Sequence, residues 1–135
     1  MKKYAALLMI VLFLAGCSSP DDTTTSKVKN EAPVFYMEAT KLASDYAENE
    51  TAADNKYKGK IVMVKGKIYE IGKDALDQPF IVIGGHAFGF GGVQCIFARG
   101  KNSSLAALSK GKVVSVKGKV SGKIVFVRIE NSSLQ

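Results

Sequence analysis

Histidine occurs once in this chain and cysteine only twice. A zinc site needs three or four nitrogen, sulfur or oxygen ligands converging, and a lone His86 has no second histidine to join it, so neither a metal nor a cofactor is expected. Ser-His-Asp and Cys-His chemistry would both depend on His86, and nothing in the spacing brings Cys95 or a serine to it. The acid pairs Asp74/Asp77 and Glu48/Glu50 fall in a loop and at a helix end, where solvated carboxylates are ordinary. No catalytic residues are assigned, and the chain is expected not to be an enzyme. Long apolar runs are also scarce. The longest is "YAALLMIVLFLA", Tyr4 to Ala15, which is too short to span a bilayer and suits a signal-peptide core.

That run follows a short positive start, "MKK", and precedes "LAGC", Leu14 to Cys17. The four-residue string resembles the lipobox of bacterial lipoproteins. The resemblance implies cleavage between Gly16 and Cys17, with residues 1–16 a signal peptide and Cys17 carrying lipid on a new N-terminus. Two or three acyl chains would hold the protein stably on a membrane. Ser18 follows Cys17, not the aspartate that resembles an inner-membrane retention signal. The expected location is therefore extracytoplasmic and membrane-anchored, with the outer membrane favoured in a host that has one. With Cys17 acylated, Cys95 has no intrachain partner and no disulfide supports the fold. Its alternation with Val93 and Phe97 predicts a buried thiol, with pairing between chains as the alternative.

Charge is divided along the chain. From Cys17 to Asn55 there are three lysines against eight acids, and from Lys56 to Gln135 fourteen bases against four acids. A basic module thus sits behind an acidic lead-in, which suggests an anionic partner or attraction between the two parts. Residues 17–33 are polar and end at Pro33, and read as a flexible tether of about 22 Å root-mean-square reach. From Val34 the pattern turns helical, with Ala39, Leu42, Ala43, Tyr46 and Ala47 on one stripe, and Asn49 as a break before a further turn.

Beyond Lys58 the chain reads as strands. The phrase "KGKIVMVKGKI" (58–68) returns as "KGKVVSVKGKV" (110–120). Each copy places a valine stripe inward, Val62, Val64 and Ile68 in one and Val114, Val116 and Val120 in the other. Gly66 and Gly118 mark a bulge or bend. "FIVIG" (80–84), "VQCIFA" (93–98) and "IVFVRI" (124–129) supply three more strands, and "SSLAALSKG" (103–111) a short helix. "GGHAFGFGG" (84–92) is a pliable connection in which Phe88 and Phe90 either form a lid or tuck over the barrel end. The expected fold is mainly β: a five-stranded OB-fold barrel spanning 34–135, with an N-terminal helix and a short helix between strands 3 and 4.

"YAENETAADNKYKGKIVMVKGKI", "VQCIF" and "LAALSKGKVVSVKGKVSG" together resemble the tRNA-anti-like OB-fold family, across about Tyr36 to Ile129. The resemblance implies a small exported or lipid-anchored protein, and the family name does not itself establish RNA binding. It also implies a second cysteine near the last strand. This chain reads "VRIENSS" there and lacks that bridge.

OB barrels use one outer face, with basic residues for charge and aromatics for stacking. The candidate ligand-binding residues are Lys65, Lys67, Tyr69, Lys117, Lys119, Phe126 and Arg128, with Val125, Val127 and Ile129 on the face opposite the last two. The alternative is lysine that merely keeps strand edges soluble. The function expected is a non-catalytic binding module for an anionic envelope component or an envelope protein. Single-stranded nucleic acid is the alternative ligand.

Overall fold

The computed structural model describes residue 28, residues 30–85 and residues 91–135. The signal peptide, Cys17, most of the tether, His86, Phe88 and Phe90 lie outside the described residues. The elements in chain order are β1 (Phe35–Glu38), α1 (Ala39–Glu48), α2 (Glu50–Tyr57), β2 (Ile61–Lys73), β3 (Pro79–Ile83), β4 (Val93–Ile96), α3 (Asn102–Ala106), β5 (Val113–Lys123) and β6 (Val127–Leu134). Strands β2, β3, β4, β6 and β5 pair in that order, and β5 returns to β2, closing a five-stranded barrel. Within the barrel, pairing is antiparallel except between β4 and β6, which run parallel; β1 adds to β2 in parallel outside it. This is the OB-fold arrangement.

The repeated phrase forms the seam that closes it. β2 and β5 pair antiparallel, with Val64 opposite Val116. These are equivalent positions in the two copies, so the ribbon has a local two-fold axis between them. Every other pairing obeys it: Val62 faces Gly118 as Gly66 faces Val114, and Met63 faces Lys117 as Lys65 faces Ser115. The turns obey it too. The Gly59 amide donates to the Val120 carbonyl (2.8 Å), and the Gly111 amide donates to the Ile68 carbonyl (2.7 Å). Both turn glycines sit at positive φ, +79° and +87°, a backbone conformation that is strained for any residue with a Cβ.

The two internal glycines do different work. At Gly118 the β5–β6 register shifts, and a Cβ there would lie 2.3 Å from Ile129 Cγ2 and 2.8 Å from the Glu130 carbonyl oxygen. At Gly66 the pairing with β5 is regular, contrary to the expected bulge. Its bare face lets Gly84 and Ala39 of α1 approach so closely that a Cβ would stand 3.0 and 3.2 Å from them. The bulge in β2 comes later, between Ile68 and Glu70.

Three boundaries differ from the sequence reading. Phe35–Glu38 is a strand, not the start of the helix, because its pairing with β2 satisfies backbone groups that β2 leaves open on the side away from β5. α3 ends at Ala106, short of the expected Gly111, and is held by buried Leu105 without a side-chain cap. β5 runs on to Lys123, so the last turn is 124–126, and Val125 stands exposed where it was expected inward.

The helices lie against the barrel through Ala39, Leu42, Ala43 and Tyr46, all buried, while Ala47 of the expected stripe is exposed. Asn49 separates α1 from α2 and caps the latter, its side-chain oxygen accepting from the Ala52 amide at 3.0 Å. Two reciprocal bonds clamp the pair: the Tyr46 hydroxyl donates to Asp54 (2.9 Å), and the Tyr57 hydroxyl donates to Asp45 (2.6 Å). Lys41 also donates to Asp45. Hydrogen bonds from Lys41 and Tyr57 hold the Asp45 carboxyl below the usual aspartate range. Cys95 is fully buried in the barrel core, and burial pushes its thiol well above the usual cysteine range. An inert thiol is thus found, not one placed to pair between chains.

Gly118→Ala should cost about 1–3 kcal/mol in chemical denaturation, the range for forcing an extra methyl into a packed core. Because Asp45 is lowered in the folded state, its contribution is complete above the unfolded value near pH 3.9 and fades as pH falls through the lower folded value. Melting temperatures measured from pH 6 to pH 2.5 should therefore fall more steeply for the native chain than for Asp45→Asn.

Candidate anion-binding face

The repeat dictates where its lysines go. Residues opposite one another in an antiparallel pair share a face, and that face recurs every second residue. Lys119 faces Ile61, Lys117 faces Met63, Lys65 faces Ser115 and Lys67 faces Val113. The four lysines therefore form one diagonal row on the barrel's outer face, two from each strand. At about 6.8 Å per two residues the row is about 20 Å long. Neither copy of the phrase contains an acid.

The row is not uniform. Lys65, Lys67 and Lys119 are exposed, but Lys117 is only 8% exposed. Its ammonium donates to the Glu31 backbone carbonyl at 3.1 Å, so the end of the tether crosses the ribbon there. Val28 is also buried, and the Val34 amide donates to the Ile61 carbonyl (2.8 Å) just before β1. Lys117 thus fastens the N-terminal segment, a structural role in place of the expected surface one. Two lysines of the row have acidic cross-strand neighbours: Glu38 of β1 is opposite Lys65, and Glu130 of β6 is opposite Lys119.

Tyr69 follows Lys67 at the β2 bulge and is 36% exposed, which keeps an aromatic at the Lys67 end of the row. The other two candidates belong elsewhere. Phe126 folds back against a second apolar cluster of Phe80, Val82 and Ile96, on the outside of β3 and β4. It supports that patch and is not a free stacking platform. Arg128 lies beside Gln94 of β4, with Nη2 3.8 Å from Glu130 Oε1 and its Nε buried without a hydrogen-bond partner among the described residues. The β3–β4 face, with the loops beside it, is where OB barrels commonly hold oligomers. Here that face is largely closed by its own apolar residues.

A shallow hollow of about 320 Å³ adjoins the row, lined by Lys65, Lys112, Ser115 and Gln135 among others. Lys112 was not singled out in the sequence, nor were Lys58, Lys60 and Lys110. The repeat carried the signal for them, since two identical strands that pair antiparallel must place their KGK turns at opposite ends of one ribbon. Among the described residues, no three His, Cys, Asp or Glu side chains converge as a metal site would require. No helix among them is long and apolar enough to cross a membrane.

Lys117→Ala should destabilise the fold by about 1.5–3 kcal/mol, the range for hydrogen bonds to charged groups. Lys65→Ala and Lys67→Ala should stay within about 0.5 kcal/mol, as exposed sites do. Urea titrations of the three variants separate the structural lysine from the free ones.

Comparison with solved structures finds a neighbour that shares this fold over most of the chain. A crystal structure from Klebsiella pneumoniae subsp. pneumoniae, described as that of a candidate nucleic acid-binding lipoprotein, superposes with a TM-score of 0.61 at 18% identity. The match covers 86% of this chain and 98% of that one. An OBody bound to hen egg-white lysozyme matches with a TM-score of 0.46 at 23% identity, over 58% of this chain and 84% of that one. A tRNA fluorescent labeling enzyme matches at 0.39 and 22% identity, over 52% of this chain and 16% of that one. No curated protein matches the sequence. The tRNA_anti-like family model matches residues 1–132, nearly the whole chain with its closed barrel and leading helices, and the protein belongs to that family.

Proposed function

We propose that the protein is a lipid-anchored, extracytoplasmic binding module that takes an anionic polymer of the cell envelope along the β2–β5 ribbon and catalyses no reaction. The observation that carries this reading is the row of Lys119, Lys65 and Lys67, exposed on one face of a ribbon whose repeated phrases hold no acid. Lys65 and Lys67 stand about 6.8 Å apart and Lys119 about 14 Å beyond Lys65, so an extended polyanion can reach all three. The charged start, apolar core and "LAGC" of the first seventeen residues support anchoring through Cys17, and Ser18 supports the outer membrane in a host that has one. The Klebsiella neighbour is described as a lipoprotein, which agrees with this.

Single-stranded nucleic acid is the second reading. It is favoured by that neighbour's description as nucleic acid-binding and by Tyr69 at the Lys67 end of the row, which supplies one stacking surface. Three exposed lysines predict a salt slope near −2 for a single strand, or roughly a twentyfold loss of affinity between 50 and 200 mM salt.

The test is fluorescence anisotropy with a labelled oligonucleotide and with labelled polyphosphate, which has charge but no bases. Both should bind, weaken with salt as above and be lost in Lys65→Ser/Lys67→Ser/Lys119→Ser. Tighter binding of the oligonucleotide, reduced by Tyr69→Ala, selects the nucleic-acid reading. Binding that the triple substitution leaves intact overturns the basic-row assignment altogether.

A further inference from the structure

Hairpin tips are ordinarily built from glycine, asparagine, aspartate and serine. The β5–β6 tip is instead Ile124-Val125-Phe126. Ile124 and Val125 are each 76% exposed, the most exposed large apolar residues among those described. The tip is held in place. The Ile124 amide donates to the Phe126 carbonyl (3.2 Å), and Phe126 packs down on the Phe80–Val82–Ile96 cluster. Two β-branched side chains are thus presented to solvent on a fixed mount.

Their surroundings are basic. Lys123 immediately precedes Ile124. Lys58 Nζ and Asp54 Oδ1 both lie beside Gly122, 3.7 and 3.5 Å from where its Cβ would stand, and the backbone of Lys60 is opposite Val120, whose amide donates to the Lys60 carbonyl (3.0 Å). Asp54 is the acid at this end, 3.9 Å from Lys58 Nζ, and Glu130 faces Lys119 one step further back.

The N-terminal segment arrives at this same end of the ribbon. Val34 bonds to Ile61, and Ile61 faces Lys119, four residues before Lys123. Glu31 is fastened to Lys117, and Val28 is buried. Only residues 18–27 separate Val28 from Cys17. Eleven Cα steps span at most about 40 Å, so a lipid on Cys17 keeps Val28 within that distance of the bilayer.

We propose that the β5–β6 tip docks on the anionic lipid bilayer that carries the acylated Cys17. Ile124 and Val125 enter the boundary between headgroups and acyl chains, and Lys58, Lys60 and Lys123 meet lipid phosphates. Aliphatic burial with adjacent lysines is the combination by which peripheral proteins hold anionic membranes. This inference rests on the reading of Cys17 as the anchor. Docking would fix the barrel's orientation, with the ribbon rising from the surface and Lys65 and Lys67 at its far end, open to a ligand. A protein partner for the tip is the competing occupant.

The probe is the chain from residue 17 with Cys17→Ser, which keeps every described core residue and removes the lipid. It is sedimented with phosphatidylcholine vesicles, with and without phosphatidylglycerol. Binding is expected only with phosphatidylglycerol, and weakened at least tenfold in Ile124→Ser/Val125→Ser and in Lys58→Ser/Lys60→Ser/Lys123→Ser, each checked for an unchanged melt. In Val125→Cys, an environment-sensitive dye should shift to the blue on adding phosphatidylglycerol vesicles and should not shift in Lys65→Ser/Lys67→Ser controls any less than in the parent. Buried Cys95 takes no label in the folded chain.

Absence of vesicle binding, binding unchanged in the tip variant, or a dye that stays in water each overturns the docking. The anchor is read separately, by membrane retention of the full chain in cells. Retention in the native chain and in Ile124→Ser/Val125→Ser, with loss in Cys17→Ser, upholds the anchor whatever the vesicles show. Retention of Cys17→Ser in cells, with no vesicle binding, removes the anchor reading and the docking together.

Discussion

Val64 and Val116 face each other across the β2–β5 pair, and both are fully buried. An antiparallel pair between two nearly identical strands can lie in a symmetric register, in which equivalent residues meet at a local two-fold axis. This chain takes that register. The valine stripes of both copies then point inward together, the internal glycines lie where another backbone or side chain presses close, and each turn glycine bonds to the end of the other copy. A slip of one residue would turn one stripe outward while the other stayed inward, so the register is strongly specified. The barrel closes along this seam, and the other three strands fill the gap between its edges.

The helices depend on the same seam. α1 lies against Gly66 and Gly84, where only the absence of side chains lets Ala39 approach. α2 is then clamped to α1 by the Tyr46–Asp54 and Tyr57–Asp45 bonds. Burial and the Asp54 hydrogen bond raise the Tyr46 hydroxyl above the usual tyrosine range, so it remains a donor under ordinary conditions. One glycine of the first copy thus serves the helices and its equivalent in the second copy serves β6. Identical sequence meets different neighbours, and the two-fold symmetry stops at the ribbon.

The same break in symmetry sorts the lysines. Lys65 and Lys117 are equivalent in the repeat, yet one is solvated and the other bonds the tether. The difference is that residues 31–34 come in over one half of the ribbon only. Charge alone therefore overstated the free surface, and the exposed row is interrupted at Lys117.

Much of the architecture was legible in the sequence. Strand periodicity, the helical stripe through Tyr46 and the strand order set the OB-fold, because alternation and turn glycines are local signals that the barrel uses directly. The inward placement of Val62, Val64, Val116 and Val120 followed from that alternation alone. What the sequence could not carry was pairing between distant segments. Phe35–Glu38 became a strand because β2 offered it an open edge. Val125 faced solvent because β5 extended by pairing with β6. Phe126 left the candidate site because an apolar patch drew it in, and Lys117 left it because a backbone carbonyl from 86 residues away reached its ammonium. Local order fixed which residues could face outward. Only tertiary contact decided which of them stayed free, because exposure depends on what the rest of the chain lays across them.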